Sequence, residues 1–141
     1  MRYAWDIIQI MFLYLAGHSL ADTALQKSDM GGGKNRNSKI DMSKVPVGQK
    51  PMKLWLMWLT HHALIHGFIV TWITYIITWD ITFSINIGML EYGSHCIIDF
   101  FKCENKYNPY VDQILHIIMK IYYIYLIMGK AQIFNMPIFS N

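Results

Sequence analysis

Glu91-Tyr-Gly-Ser-His95-Cys-Ile-Ile-Asp99 sets three metal-capable side chains at four-residue steps inside an otherwise apolar run. On an α-helix, residues four apart stack on one face, so Glu91, His95 and Asp99 are predicted to form a stripe of carboxylate, imidazole and carboxylate. If that helix lies in a membrane, each unpaired charge costs several kcal/mol, and partners must come from elsewhere in the chain.

The composition points to such a setting. Of 141 residues, 54% are hydrophobic, 15% aromatic and only 15% charged. Seven of the twelve Lys and Arg lie between Lys27 and Lys53, so the net +3 describes one basic segment rather than a basic surface. A distributed basic face with interleaved aromatics is missing, which argues against nucleic acid as a partner. Cys96 and Cys103 lack Cys-x-x-Cys spacing and read as small hydrophobes in a reducing setting. Arg2 before an apolar run suggests a signal peptide, but no Ala-x-Ala site follows, so the run is read as a retained span.

The expected architecture is an all-α, integral membrane four-helix bundle forming a single domain over residues 1–141. Spans are predicted at about 5–25, 54–79, 81–101 and 110–128, each near the ~20 residues that cross a hydrocarbon core. Trp5, Trp55, Trp58 and Trp79 suit interfacial anchors. Residues 26–53, with Gly31 to Gly33, Pro46 and Pro51, read as a flexible basic linker, or alternatively a lid or docking strip for anionic lipid or nucleotide. Gly129-Lys130 suits a helix end, followed by a short tail over 129–141. In water, the β-branched and aromatic stretch from Phe68 to Ile87 could form a hairpin turning at Trp79-Asp80. An open hairpin in a bilayer leaves backbone groups unpaired, so helices are expected.

The basic linker is predicted to face the cytoplasm, the connection near Asp80 the outside, and the one holding Lys102 and Lys106 the inside again. Both termini are then outside. This orientation, set without reference to these histidines and carboxylates, brings the four groups into the cytoplasmic half. His18 and Asp22 close the first span, and His62 and His66 enter the second. Glu91 lies roughly 15 Å deep in the third. Asp112 and His116 open the fourth.

The spacing repeats as well. His18/Asp22, His62/His66, Glu91/His95/Asp99 and Asp112/His116 are all four-residue steps, and they include five of the six histidines. His61 stands apart and reads as an interfacial residue. Pairs of ligands on facing helices are how bundles build metal sites. Imidazole with carboxylate suits zinc first, and manganese or iron as well, while the lack of thiolates argues against copper(I) or iron–sulfur clusters. His62, His66, His95 and Asp99 are the first-choice ligands. Asp22, Asp112, His116 and His18 follow, as ligands to a second ion or as supports of ligand histidines. Glu91, the deepest, is the candidate catalytic general base.

The ordered pieces His18-Ser-Leu-Ala-Asp22-x-x-Leu-Gln26, His62-Ala-Leu-Ile-His66-Gly67, Glu91-x-x-x-His95-x-Ile-Ile-Asp99-x-x-Lys102 and Asp112-Gln113-x-x-His116 resemble a known family. It is the domain of unknown function 3307 family of small bacterial and phage membrane proteins. The resemblance covers the four spans but neither the basic linker nor the tail, and it implies a multi-pass protein of the bacterial inner membrane. More distantly the pieces are reminiscent of membrane-bound metal-dependent hydrolases. The expected function is a membrane-embedded metal-dependent hydrolase, in which an ion activates water, acting on a lipid-linked or phosphate-ester substrate. Alternatives are a proton- or metal-ion carrier using the same residues, and a non-enzymatic phage accessory protein using the linker.

Overall fold

Between Trp55 and Thr78 the chain has no proline and one glycine, and it forms the helix α3 (Trp55–Thr78). Trp79 ends it in the left-handed region (φ 51°), returning its N–H to Tyr75 O at 2.8 Å. Asp80 then caps the next helix, its carboxylate accepting from the Phe83 N–H at 2.9 Å. The turn is therefore two residues long and forces α4 (Ile81–Cys103) antiparallel to α3. The computed structural model describes residues 2–26 and 28–134; Lys27, residues 135–141 of the expected tail and the side chain of the expected anchor Trp5 lie outside them. Among the described residues there is no strand, so the stretch considered as a hairpin is helical on both sides of its turn.

α1 (Arg2–Leu20) runs on into a π turn (Ala21–Leu25), and a short α2 (Ser28–Gly33) follows. α5 (Pro109–Phe134) starts with proline at its first position, where a missing N–H costs nothing. Asn108 caps it by accepting from the Val111 N–H at 3.0 Å. α5 does not stop at Gly129-Lys130 as expected. Lys130 pairs with Asp80 and stands 4.5 Å over the Phe83 ring, which holds this extra turn against α4.

α1 packs on α3 and α5, and α4 packs on the same two, so the four long helices close a ring. The α3–α4 contact is the most extensive and the closest. A Cβ on Gly88 would stand 1.8 Å from Thr71 Oγ1, and one on Gly67 would stand 2.8 Å from Gly88 O. Only glycine lets the two backbones meet there, which brings His66 beside the face of α4.

The interior has two compositions. One half is apolar: Ile10, Tyr14, Val70, Ile77, Ile87, Tyr123, Ile124 and Ile127 form a buried cluster. The other half holds the ionisable residues. The outer surface carries exposed Phe12, Phe68, Trp72, Ile97 and Tyr125. Three helical stretches, Asp6–Leu25, Trp55–Thr78 and Pro109–Ala131, are long and apolar enough to cross a membrane. α4 is as long, but it carries the polar stripe.

Part of the segment expected as a flexible linker, residues 26–53, makes specific contacts with the helices. Arg36 makes a two-point ion pair with Glu104, at 2.7 Å through both Nε and Nη2, and stands 5.2 Å over Phe100. Lys53 Nζ donates to Arg36 O at 2.8 Å, and Lys34 is buried. The basic residues make specific contacts here because unpaired carboxylates of the helices lie within their reach.

Candidate metal centre

The four-residue steps do what helical geometry requires. On α3, His62 and His66 are both buried with ring centroids 4.7 Å apart. On α4, Glu91, His95 and Asp99 are each at most 1% exposed and face the same interior. α5 contributes buried Asp112 and His116. From α1 and its π turn come His18 and Asp22, with side chains 9% and 29% exposed. A π turn is wider than an α turn and recurs at functional sites. Here it carries Asp22 to within 3.1 Å of His66 Nε2 and 3.4 Å of His62 Nε2.

His95 is the hub. Its ring stacks on His66 at 3.7 Å and on His116 at 4.2 Å, and lies 5.0 Å from His62. Three sets of donor atoms lie mutually within 4.8 Å, and His95 belongs to all of them: with His18, His66 and Glu91; with Asp22, His62 and His66; and with Asp99 and His116. Of the nine predicted site residues, Asp112 alone is outside these sets. It lies at the edge, 3.7 Å from His116 Nε2. His61 is exposed and donates through Nδ1 to Met57 O at 2.8 Å.

Three lysines complete the site. Lys120 Nζ lies 2.5 Å from Glu91 Oε1, Lys34 Nζ lies 2.5 Å from Asp99 Oδ2, and Lys102 Nζ lies 2.6 Å from Asp112 Oδ2. Lys120 and Lys102 sit on the same helices as the stripes, so helical spacing could have flagged them. Lys34 has no such signal, since its contact with Asp99 spans 65 residues of chain. Burial opposes the charge on Lys102, but its hydrogen bond to Asp112 and that carboxylate's charge outweigh it and raise its pKa.

Despite the crowding, many polar atoms have no hydrogen-bond partner. Both ring nitrogens of His18 and of His62, Nε2 of His95, Oε2 of Glu91 and Oδ1 of Asp112 are buried and unsatisfied. Each such atom costs about 1–3 kcal/mol if nothing binds it. The mixture of imidazole nitrogens and carboxylate oxygens is the donor set of a borderline divalent cation such as zinc. Tetrahedral zinc sets its ligand atoms about 3.3 Å apart, so donors now within 4.8 Å reach it by small side-chain rotations. The residues fit an ion.

A cavity of about 590 Å³ leads to the cluster from the side of α2. Asp22, Asp99 and Asp112 line it together with Lys34, Lys102 and Tyr107. On the opposite side the apolar half closes the interior, where polar links between helices include Tyr14 to Thr74 at 2.7 Å, Ser94 to Tyr123 at 3.1 Å and Thr78 to Ser84 at 3.4 Å.

A family model described as a protein of unknown function (DUF3307) matches residues 10–139. No curated protein and no solved structure matches the chain.

Proposed function

The chain belongs to this family of unknown function, and from that premise we propose that it is a four-span protein of the bacterial inner membrane. In this reading it holds one or two divalent cations and hydrolyses its substrate at them. The observation that carries it is the group of buried, unpartnered imidazole and carboxylate atoms around His95. In this reading the exposed apolar side chains face lipid, and the basic residues of 26–53 support a cytoplasmic cavity mouth with both termini outside.

Of the first-choice ligands, His62, His66 and His95 would hold one ion together with Asp22, which shares their donor set, while Asp99 groups with His95 and His116 and, with His18, remains available for a second. When bound, such an ion supplies Lewis acidity and lowers the pKa of a coordinated water toward neutrality. The chain's own residues do the rest. Glu91 Oε1 lies 3.3 Å from His95 Nδ1. With the proton on Nδ1, that contact fixes the ring and leaves Nε2 free to coordinate. Lys120 holds the same Glu91 oxygen, and Oε2 remains open to accept a proton as general base. Asp112 and Lys102 stand at the mouth, where a lipid-linked or phosphate-ester substrate enters.

A proton- or metal-ion carrier using the same residues is the alternative reading, and buried Thr74 and Ser84 carry hydroxyls into the half around Ile10, Val70, Ile77 and Ile87. Detergent-purified protein is expected to hold stoichiometric transition metal and to hydrolyse p-nitrophenyl phosphate or p-nitrophenyl acetate in a chelator-sensitive way. His95→Ala, which disrupts all three donor sets, should lower metal affinity about 100-fold or more. Wild-type protein that binds no transition metal after metal loading overturns the proposal. Metal bound without hydrolysis, together with metal uptake into proteoliposomes, replaces it with the carrier.

A further inference from the structure

The lysines at the cavity mouth carry more than their ion pairs require. Four carboxylates, Asp22, Glu91, Asp99 and Asp112, meet three lysines, Lys34, Lys102 and Lys120, in and around the cavity; all but Asp22 and Lys102, whose side chains are 29% and 31% exposed, are buried. With neutral histidines, as metal ligands must be, four negative and three positive charges leave a net −1. One divalent ion turns this into +1, and two turn it into +3. Uncompensated charge inside a protein is costly, so a further anion is favoured once metal is in place.

The geometry says where that anion goes. Asp99 Oδ2, the oxygen that holds Lys34, also lies 3.5 Å from His62 Nε2 and 3.8 Å from His95 Nε2. An ion shared with those nitrogens therefore competes with Lys34 for the same oxygen. Lys34 has a second contact, Gln26 Oε1 at 3.2 Å, and among the described residues Asp99 is the one carboxylate in ion-pair contact with it. Its side chain is 8% exposed and lines the cavity, as does the last-turn Lys102. Metal binding would thus release one buried ammonium into a space of about 590 Å³ that already holds another. Lysines paired with a divalent ion are a means of holding a phosphoryl group.

Building on the metal reading above, we infer that metal occupancy converts this cavity into a phosphate-binding site, with Lys34 and Lys102 as its cationic arms. The phosphate group belongs to a free phosphate compound or to a lipid headgroup, and the substrate class narrows to phosphate esters. Because the coupling is an equilibrium, phosphate must also tighten metal binding by the same factor.

The test uses the full chain in detergent, loaded with zinc and freed of excess metal, titrated calorimetrically with inorganic phosphate. Phosphate is expected to bind about tenfold or more tightly to the loaded than to the metal-free protein. Lys102→Met and Lys34→Met should abolish that ratio while metal stoichiometry persists, with Lys34→Met unfolding at lower temperature in the metal-free state because Asp99 loses its cation. The charge-keeping Lys102→Arg should retain it, and it keeps the test alive if Lys34→Met does not fold. Repeating the titration in nanodiscs of phosphatidylcholine with and without phosphatidic acid separates the sources: competition by phosphatidic acid assigns the site to a lipid headgroup, and its absence to a free phosphate compound. Stoichiometric metal with equal phosphate affinity in both states overturns this inference alone, as does coupling that survives Lys34→Met together with Lys102→Met. A chain that binds no metal overturns both readings.

Discussion

The two halves of the helical ring are built by the same four helices and obey opposite rules. In the half around Ile10, Tyr14, Val70, Ile77, Ile87, Tyr123 and Ile127, apolar packing dominates, and the Tyr14 and Tyr123 hydroxyls have hydrogen-bond partners. Five histidines, four carboxylates and three lysines fill the other half, which is tightly packed yet leaves polar atoms without partners. Apolar packing is pairwise and forgiving. A buried charge must be matched by a specific opposite group or by an ion. The polar half is therefore where a single substitution should matter most, and where a ligand has most to offer.

The largest stability effect is expected at Lys120. Lys120→Met leaves Glu91 buried without its cation and should lower stability in detergent by about 3–5 kcal/mol. Adding Glu91→Gln should restore most of it. Thermal unfolding of the single and double variants checks this, and an unchanged single variant would show that the pair contributes nothing.

A cavity in the other half costs somewhat less. Ile77, 1% exposed in the apolar cluster, should cost about 2–4 kcal/mol when changed to Ala. Metal stoichiometry should stay at the wild-type value, because no donor atom moves. Loss of metal in this variant would erase the distinction between the halves.

Gly88→Ala lies between them. The added methyl meets Thr71 Oγ1 and Gly67 O, so α3 and α4 must separate. A cost of about 1–3 kcal/mol is expected, together with weaker metal binding as His62 and His66 draw back from α4. Paired measurements of unfolding and metal affinity should show both changes.

The smallest effect belongs to the surface. Hydrogen bonds from Arg36 hold the Glu104 carboxyl below the usual carboxylate range. A lowered folded pKa means that its contribution is complete above about pH 4.3, the unfolded value, and fades as pH falls through the folded one. Arg36→Ala should remove this small acid-side dependence, and added salt should mask it. Unfolding curves over acidic pH at low and high salt provide the measurement.

Much of the site was legible because helical spacing is local. Glu91, His95 and Asp99 must share a face whatever surrounds them, and so must His62 with His66 and Asp112 with His116. The structure brings these faces together around His95. Lys34 was not legible. It sits in a glycine-rich stretch without periodicity, and its partner Asp99 lies in another helix. The π turn that carries Asp22 leaves no mark either, since Ala21–Leu25 reads as ordinary helix.

The amino-acid order by itself determined that this chain is helical and apolar, and that its ionisable residues line up in stripes. Those properties depend on neighbours within one or two turns. The tertiary structure alone decided which stripe meets which, through the close approach at Gly67 and Gly88. It also decided which lysine answers each carboxylate and which nitrogens remain free for an ion. Such contacts join residues far apart in the chain, and their strength depends on a burial that exists only once all four long helices have closed.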